Sequence, residues 1–200
     1  CSTSPTPGSE DAGPASTLDG GDAGAANQPY ATAAGGYVTS GRWSGYAWTV
    51  ALGAGSSISP QDFSALPAGG SLCAKGTVGP LADWGGSATL GFNLNQASAA
   101  NSPAKPYTPT GPGVRYKLSN PSKAPLRLRL QDAADPKNGW CAVLPSESGF
   151  VAWSSFNTQC WTSGGRAYAL EPISAIAVTV PGDDDTAVPF EFCIESLGEL

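Results

Sequence analysis

The stretch LRLRLQ, residues 126–131, carries the side chains best arranged to bind a ligand. Successive side chains of a β-strand point to opposite faces of its sheet. The three leucines therefore share one face, while Arg127, Arg129 and Gln131 share the other. Once the leucine face is buried, two guanidinium groups and an amide can donate hydrogen bonds to an anionic or polyhydroxylated ligand. A half-buried strand whose polar face is simply solvated is the plainer alternative, and this stretch alone leaves both open.

Two other segments alternate in the same way and could widen this polar surface. In residues 87–96 and 113–119, apolar side chains that suit a core alternate with polar ones. The polar side chains that would face outward are Asn93, Asn95, Arg115 and Lys117. If these strands lie in the same sheet as residues 126–131, we expect one broad polar surface.

The residue types give little support to catalysis. The chain contains no histidine, so neither a Ser-His-Asp nor a Cys-His arrangement can form. Carboxylates are sparse, and no pattern marks two of them as the pair that a glycoside hydrolase needs. There is no GxGxxG or P-loop motif to indicate a nucleotide cofactor. We therefore expect a protein that is not an enzyme and binds no cofactor.

Five cysteines indicate disulfides rather than a metal site. They lack metal-ligand spacing, and no histidine is present to complete a zinc site. Cys1 is the odd one out, and the other four fall in strand-like segments. Two disulfides are predicted from these four, which indicates an exported protein. Of the three possible connectivities we prefer Cys141–Cys160 together with Cys73–Cys193.

Composition and periodicity predict an all-β fold. Glycine and proline account for 44 of the 200 residues, or 22%, against an average of about 12%. No window keeps a helical apolar period over three turns, and no apolar run is long enough to cross a membrane. Eight to ten short strands separated by turn signals predict a two-sheet antiparallel β-sandwich, or jelly roll.

Residues 1–34 differ in composition from the rest of the chain. The first 29 residues contain a single leucine as their only large apolar residue, too little apolar surface to offset the entropy of ordering. We expect a flexible polar linker over residues 1–34 and a folded domain over 35–200. The net charge of −6 argues against binding nucleic acid, although seven basic residues cluster between positions 105 and 137.

The beginning of this linker resembles the mature N-terminus of bacterial lipoproteins. In those proteins an N-terminal cysteine carries the lipid, and a polar linker holds the domain off the membrane. The resemblance implies a lipid at Cys1. Because Ser2 rather than aspartate follows the cysteine, it also implies an outer-membrane address, at the cell surface or on the periplasmic face.

The second half of the chain resembles galactose-binding-like jelly rolls, and family 11 carbohydrate-binding modules in particular. The matching pieces are LRLRLQ, GFVAWSSFNTQCW, PISAIAVTVPG and PFEFCIESL. In that group a concave sheet binds glycans through aromatic and hydrogen-bonding side chains. The resemblance implies that Arg127, Arg129 and Gln131 belong to such a site, with polysaccharide as the partner.

The same resemblance raises two further expectations. Glycan grooves often present aromatic rings, and the best candidates for them are Trp48, Tyr46 and Trp153. For each of the three, packing in the core is the alternative, since aromatic side chains in β-sandwiches usually fill cores. Related modules also hold a structural calcium, for which Glu191, Glu195 or residues 183–185 could supply oxygens. A solvated acidic turn is the alternative for these acids.

Two functional hypotheses follow from the sequence. The first is a non-catalytic surface lipoprotein whose jelly roll binds carbohydrate on a polar sheet face. The second is a structural or adhesive surface protein, without a sugar site, that self-associates into oligomers or filaments. What lies on the polar face of the 126–131 strand distinguishes them: a groove, a flat surface, or another part of the chain.

Overall fold

The computed structural model describes residues 31–81, 85–99, 101–162 and 164–200, which form two antiparallel β-sheets. The seven-stranded sheet contains β1 (Ala31–Ala33), β2 (Tyr37–Ser40), β3 (Trp43–Leu52), β6 (Ser87–Asn93), β8 (Leu126–Asp132), β9 (Gly139–Leu144) and β11 (Ile173–Pro181). The five-stranded sheet contains β4 (Ser57–Ser59), β5 (Leu72–Val78), β7 (Gly113–Ser119), β10 (Ser148–Ala152) and β12 (Val188–Glu199). The predicted all-β sandwich is confirmed.

The strand order shows that the chain crosses repeatedly from one sheet to the other. The order is β1-β2-β3-β6-β11-β8-β9 in the larger sheet and β10-β7-β12-β5-β4 in the smaller. Neighbouring sequence segments such as β6, β7 and β8 therefore alternate between sheets, as in a jelly roll. Within the described ranges the one helical element is a 3-10 turn, Trp153–Ser155. The described residues therefore contain no helix that is long and apolar enough to cross a membrane.

The core lies between the two sheets and is built from alternate residues of most strands. On β8, Leu126, Leu128 and Leu130 are at most 5% exposed, while the intervening arginines are half-buried. On β12, Phe190 and Phe192 are buried in the same way. The predicted two-residue alternation of these strands is confirmed, and it sets which side chains face outward.

Both predicted disulfides are present. Cys73 on β5 and Cys193 on β12 are paired residues of adjacent strands, with their Cα atoms 4.0 Å apart. Cys141 on β9 is bonded to Cys160 in the loop after the 3-10 turn, with a Cα separation of 5.3 Å. The second disulfide therefore ties a loop to the edge of the seven-stranded sheet.

The folded part of the chain begins before the predicted boundary at residue 35. Strand β1 pairs with β2, and the Thr32 hydroxyl donates a hydrogen bond of 2.7 Å to the carbonyl of Gly70. Residues 31–34 therefore belong with the domain rather than with the linker. The remainder of the predicted linker, residues 1–30, lies outside the described residues, and so does the predicted lipidation site Cys1.

Replacing Leu128 by alanine should lower the free energy of unfolding by about 2–5 kcal/mol, because its side chain is fully buried between the sheets. Chemical denaturation of the purified domain measures this loss. Val143→Ala on neighbouring β9 is the matched control, since Val143 is 53% exposed and its loss should stay within about 0.5 kcal/mol. Equal losses in the two variants would contradict the assignment of the leucine face to the core.

Candidate binding groove on the seven-stranded sheet

The pairing of β3, β6, β11 and β8 aligns their outward-facing side chains in rows across the sheet. One row consists of Trp48, Gly91, Ala177 and Arg129. The next row consists of Val50, Thr89, Thr179 and Arg127. In the first row the two central residues are small and the two flanking residues are large. In the second row Arg127 is large, while Val50, Thr89 and Thr179 are similar in size. The outer face of this sheet is therefore a groove with a low floor on β6 and β11 and walls on β3 and β8.

Close packing keeps the floor of the groove low. A Cβ atom added to Gly91 would lie 2.6 Å from the Cβ of Ala177 and 2.7 Å from the carbonyl oxygen of Ile176. The hydroxyls of Thr89 and Thr179 are buried and hydrogen bonded to each other at 3.0 Å. The floor thus has little free hydrogen-bonding capacity, and the walls must provide the polar contacts.

Trp48 forms the β3 wall and is held in one orientation by hydrogen bonds. Its indole Nε1 donates to Oδ1 of Asn93 at 3.1 Å, and Nδ2 of Asn93 donates to Oε1 of Gln96 at 2.9 Å. The same Gln96 oxygen accepts the backbone N–H of Tyr46 at 2.9 Å. Asn93, predicted as a ligand-binding residue, therefore lies on the groove face with its amide engaged in positioning Trp48.

Arg127 and Arg129 form the β8 wall. Within the described residues, no carboxylate oxygen lies within 4 Å of either guanidinium group. Burial lowers the pKa of Arg127, because the charged form is partly removed from water. Its Cζ atom lies 5.4 Å from the ring centroid of Trp161, which is itself 58% exposed.

The loop after the 3-10 turn brings Trp161 to this wall. The backbone N–H groups of Cys141 and Asn157 donate to each other's carbonyls at 2.8 and 3.0 Å, which extends the sheet beyond β9. The Cys141–Cys160 disulfide then fixes the residue directly before Trp161. Trp161 was not predicted as a site residue. In the sequence it follows a cysteine of a predicted disulfide and ends GFVAWSSFNTQCW, one of the four pieces that carry the resemblance.

Two adjoining depressions make up the groove. The larger, of about 580 Å³, runs along β8 and β9 past Arg127 and Trp161. The smaller, of about 370 Å³, lies between Trp48 and the arginine wall. Both are lined by Arg129 and Lys137. We call the two together the groove.

The remaining residues of the predicted polar surface are only partly brought together. Gln131 lies on the groove wall, where its amide donates to the carbonyl of Pro136 at 2.9 Å. Arg115 and Lys117 lie on β7, in the five-stranded sheet, and Lys117 pairs with Glu195 at 2.8 Å. The expectation of one surface including Arg115 was wrong, because the chain changes sheets between β6 and β8.

The alternation of residues 87–96 also predicted a position on the polar surface for Asn95, and this prediction was wrong. Strand β6 ends at Asn93, and Asn95 follows in an exposed turn with φ of 49°. Its amide donates to the carbonyl of Pro106 at 2.9 Å. The alternating pattern of residues 87–96 thus continues past the end of the strand that it describes.

The three predicted platform aromatics divide into two groups. Trp48 and Tyr46 are partly exposed on β3, with the Tyr46 hydroxyl donating to the carbonyl of Ser98 at 2.8 Å. Trp153 is only 4% exposed and packs against Phe156 and Tyr168. For Trp153 the core-packing alternative is confirmed, because the 3-10 turn directs its ring into the core.

Two of the acidic residues considered for calcium, Asp183 and Glu195, make other contacts. The Asp183 carboxylate accepts hydrogen bonds of 3.0 Å from the backbone of Asp185 and Thr186, and these lower its pKa. Glu195 pairs with Lys117. In the ranges that the structure describes, no group of three or more potential ligands is arranged to hold a metal ion. Residues 183–186 form an exposed turn that is closed by its own hydrogen bonds.

No protein family matches the chain, and neither does any curated protein. Among solved structures, the chain is similar to a family 11 carbohydrate-binding module from Clostridium thermocellum in complex with a beta-1,3-1,4-mixed-linked tetrasaccharide. The sequence identity is 12% and the TM-score is 0.47, with 86% of this chain and 97% of that chain covered.

Replacing Gly91 by alanine should lower the free energy of unfolding by about 1–3 kcal/mol, because the added methyl group has no room beside the β11 backbone. Denaturant titration measures this loss. Gly164→Ala is the control, since an added Cβ there meets its nearest atoms at 3.8 Å. An unchanged free energy of unfolding in Gly91→Ala would contradict the close packing of the floor.

Proposed function

We propose that the protein binds carbohydrate chains, without catalysis, in the groove on the seven-stranded sheet. The observation that carries this proposal is the exposed ring of Trp161 beside the half-buried Arg127, with Trp48 on the opposite wall. A sugar ring has apolar C–H faces that pack on an indole ring, and hydroxyl groups that accept hydrogen bonds from a guanidinium. Apolar surface combined with a few well-placed polar groups is typical of ligand sites.

The shape of the groove fits an extended chain. The two depressions join side by side across β3, β6, β11 and β8, and they open to solvent along the sheet surface. An enclosed pocket would bury most of a small molecule, whereas an open groove lets a polymer enter and leave at both ends. Polysaccharide is therefore the carbohydrate that we propose.

The composition of the groove supports binding without hydrolysis. Asp132 is the one carboxylate among the described residues that line it, and a glycoside hydrolase requires two. One Asp132 oxygen accepts the backbone N–H of Ala134 at 2.8 Å, so it serves to close the turn after β8. The floor strands present Gly91, two alanines and two threonines that bond to each other, with Ser87 and Pro181 at one end.

Screening the purified domain against a panel of polysaccharides by affinity electrophoresis and glycan array should identify at least one that retards it. Trp161→Ala and Trp48→Ala should each weaken that binding about tenfold, because each removes one ring surface from the groove. Phe150→Ala is the matched control, as Phe150 is an exposed aromatic on β10 of the other sheet. Its binding should equal that of the unaltered protein.

Two results would overturn the proposal. One is the absence of retardation by every polysaccharide in the panel. The other is binding that Phe150→Ala weakens as much as Trp161→Ala does. Light scattering on the same samples tests the structural or adhesive alternative, which requires oligomers or filaments in the absence of glycan.

A further inference from the structure

We infer that the groove selects anionic polysaccharides, and that Arg127 and Arg129 bind their carboxylate or sulfate groups. This inference rests on the proposed function and names its ligand class. It is carried by the juxtaposition of two guanidinium groups on one wall of a groove with an exposed tryptophan at its rim.

Among the described residues, the positive charges that line the groove have no carboxylate partner. Arg127, Arg129 and Lys137 all line the groove, and in the described part of the chain none of them lies within 4 Å of a carboxylate oxygen. Elsewhere on the protein, Lys117 and Lys123 do have acidic partners. A cation that is partly withdrawn from water gains most from an anionic partner.

The two arginines lie close together on one face of β8. They are two residues apart on β8, so their backbones are about 7 Å apart on the same face. Like charges on neighbouring side chains of one sheet face repel each other, and Arg127 is in addition half-buried. An anion that contacts both groups would relieve the repulsion and the loss of hydration together. Burial also lowers the pKa of Arg127, in agreement with this loss of hydration.

Hydrogen-bond donors outnumber acceptors among the side chains of the arginine wall. Guanidinium and ammonium groups only donate hydrogen bonds, and one N–H of the Gln131 amide donates to the carbonyl of Pro136. Asp132, the acid among the described lining residues, gives one oxygen to the turn. A neutral sugar hydroxyl both donates and accepts, whereas carboxylate and sulfate groups only accept. The planar guanidinium fork also matches a carboxylate with two parallel hydrogen bonds.

The protein as a whole would not attract a polyanion. The net charge of the protein is −6, so long-range electrostatics oppose the approach of an acidic polymer. Binding of such a polymer would therefore depend on local contacts in the groove. The loss of binding when the two arginines are replaced therefore tests the inference directly.

The test compares four polymers on the folded protein at physiological ionic strength by affinity electrophoresis and titration calorimetry. Polygalacturonate supplies carboxylates, dextran sulfate supplies sulfates, neutral dextran supplies sugar without charge, and single-stranded DNA supplies phosphate without the glycan. We expect at least one acidic polysaccharide to bind at least tenfold more tightly than dextran. The tighter of the two acidic polymers identifies which anion the arginines prefer.

The double variant Arg127→Gln with Arg129→Gln should bind that acidic polysaccharide at least tenfold more weakly, because it loses charge-assisted hydrogen bonds. The double variant Lys75→Gln with Lys105→Gln is the matched control. Both lysines are exposed and lie outside the groove lining, and the change in net charge is the same. Circular dichroism melting checks that each variant is folded.

A salt titration of the unaltered protein gives a second measure that needs no variant. Raising NaCl from about 0.05 M to about 0.5 M should weaken binding of the acidic polysaccharide severalfold, because the charges are then screened. Binding that is insensitive to both salt and the arginine substitutions would overturn the inference.

The outcomes separate this inference from the proposed function. Tight binding of a neutral glycan that the arginine variant retains would overturn the inference and leave carbohydrate binding in place. Failure to bind any glycan would overturn both. Binding of DNA as tight as that of the acidic polysaccharide would overturn the selectivity for glycans.

Discussion

The burial of the leucine face of β8 is the constraint on which the rest of the site depends. Leu126, Leu128 and Leu130 lie in the core with at most 5% exposure. A shift of one residue in the pairing of β8 would turn these leucines outward and place two guanidinium groups between the sheets. The free energy of core burial therefore fixes the register of the strand. The same register places Arg127 and Arg129 beside Thr179 and Ala177 on the outer face.

The groove arises from a difference in side-chain size that crosses the sheet in the same register. Strand β11 is buried along nearly all its length, including the outward-facing Ala175 and Ala177. Those alanines are covered because larger residues on β3 and β8 rise on either side of them. Gly91 allows Trp48 to lie close to the floor, and Asn93 holds the indole in place. Small residues on the central strands thus define the groove as much as the large residues on its walls.

The sequence was sufficient for the features that local pattern controls. Two-residue alternation gave the inward and outward faces of β8 and β12, and four internal cysteines gave the two disulfides. Alternation specifies a face of a strand, but it does not specify which sheet the strand joins. Arg115 was for that reason grouped with a surface on the far side of the sandwich. Whether Trp153 faces the groove or the core was left open by the sequence, because a three-residue turn, rather than a strand, sets its direction.

Trp161 shows why part of the site could not be found from sequence. It lies in a loop with no periodic pattern, and its position depends on a disulfide and on backbone pairing between residues 141 and 157. These contacts join a loop to the sheet edge, so a local pattern carries no information about where the ring will lie. Because the loop is tied down at both points, the backbone that carries Trp161 is held beside the β8 wall. A ligand then loses less of its binding free energy to ordering this loop.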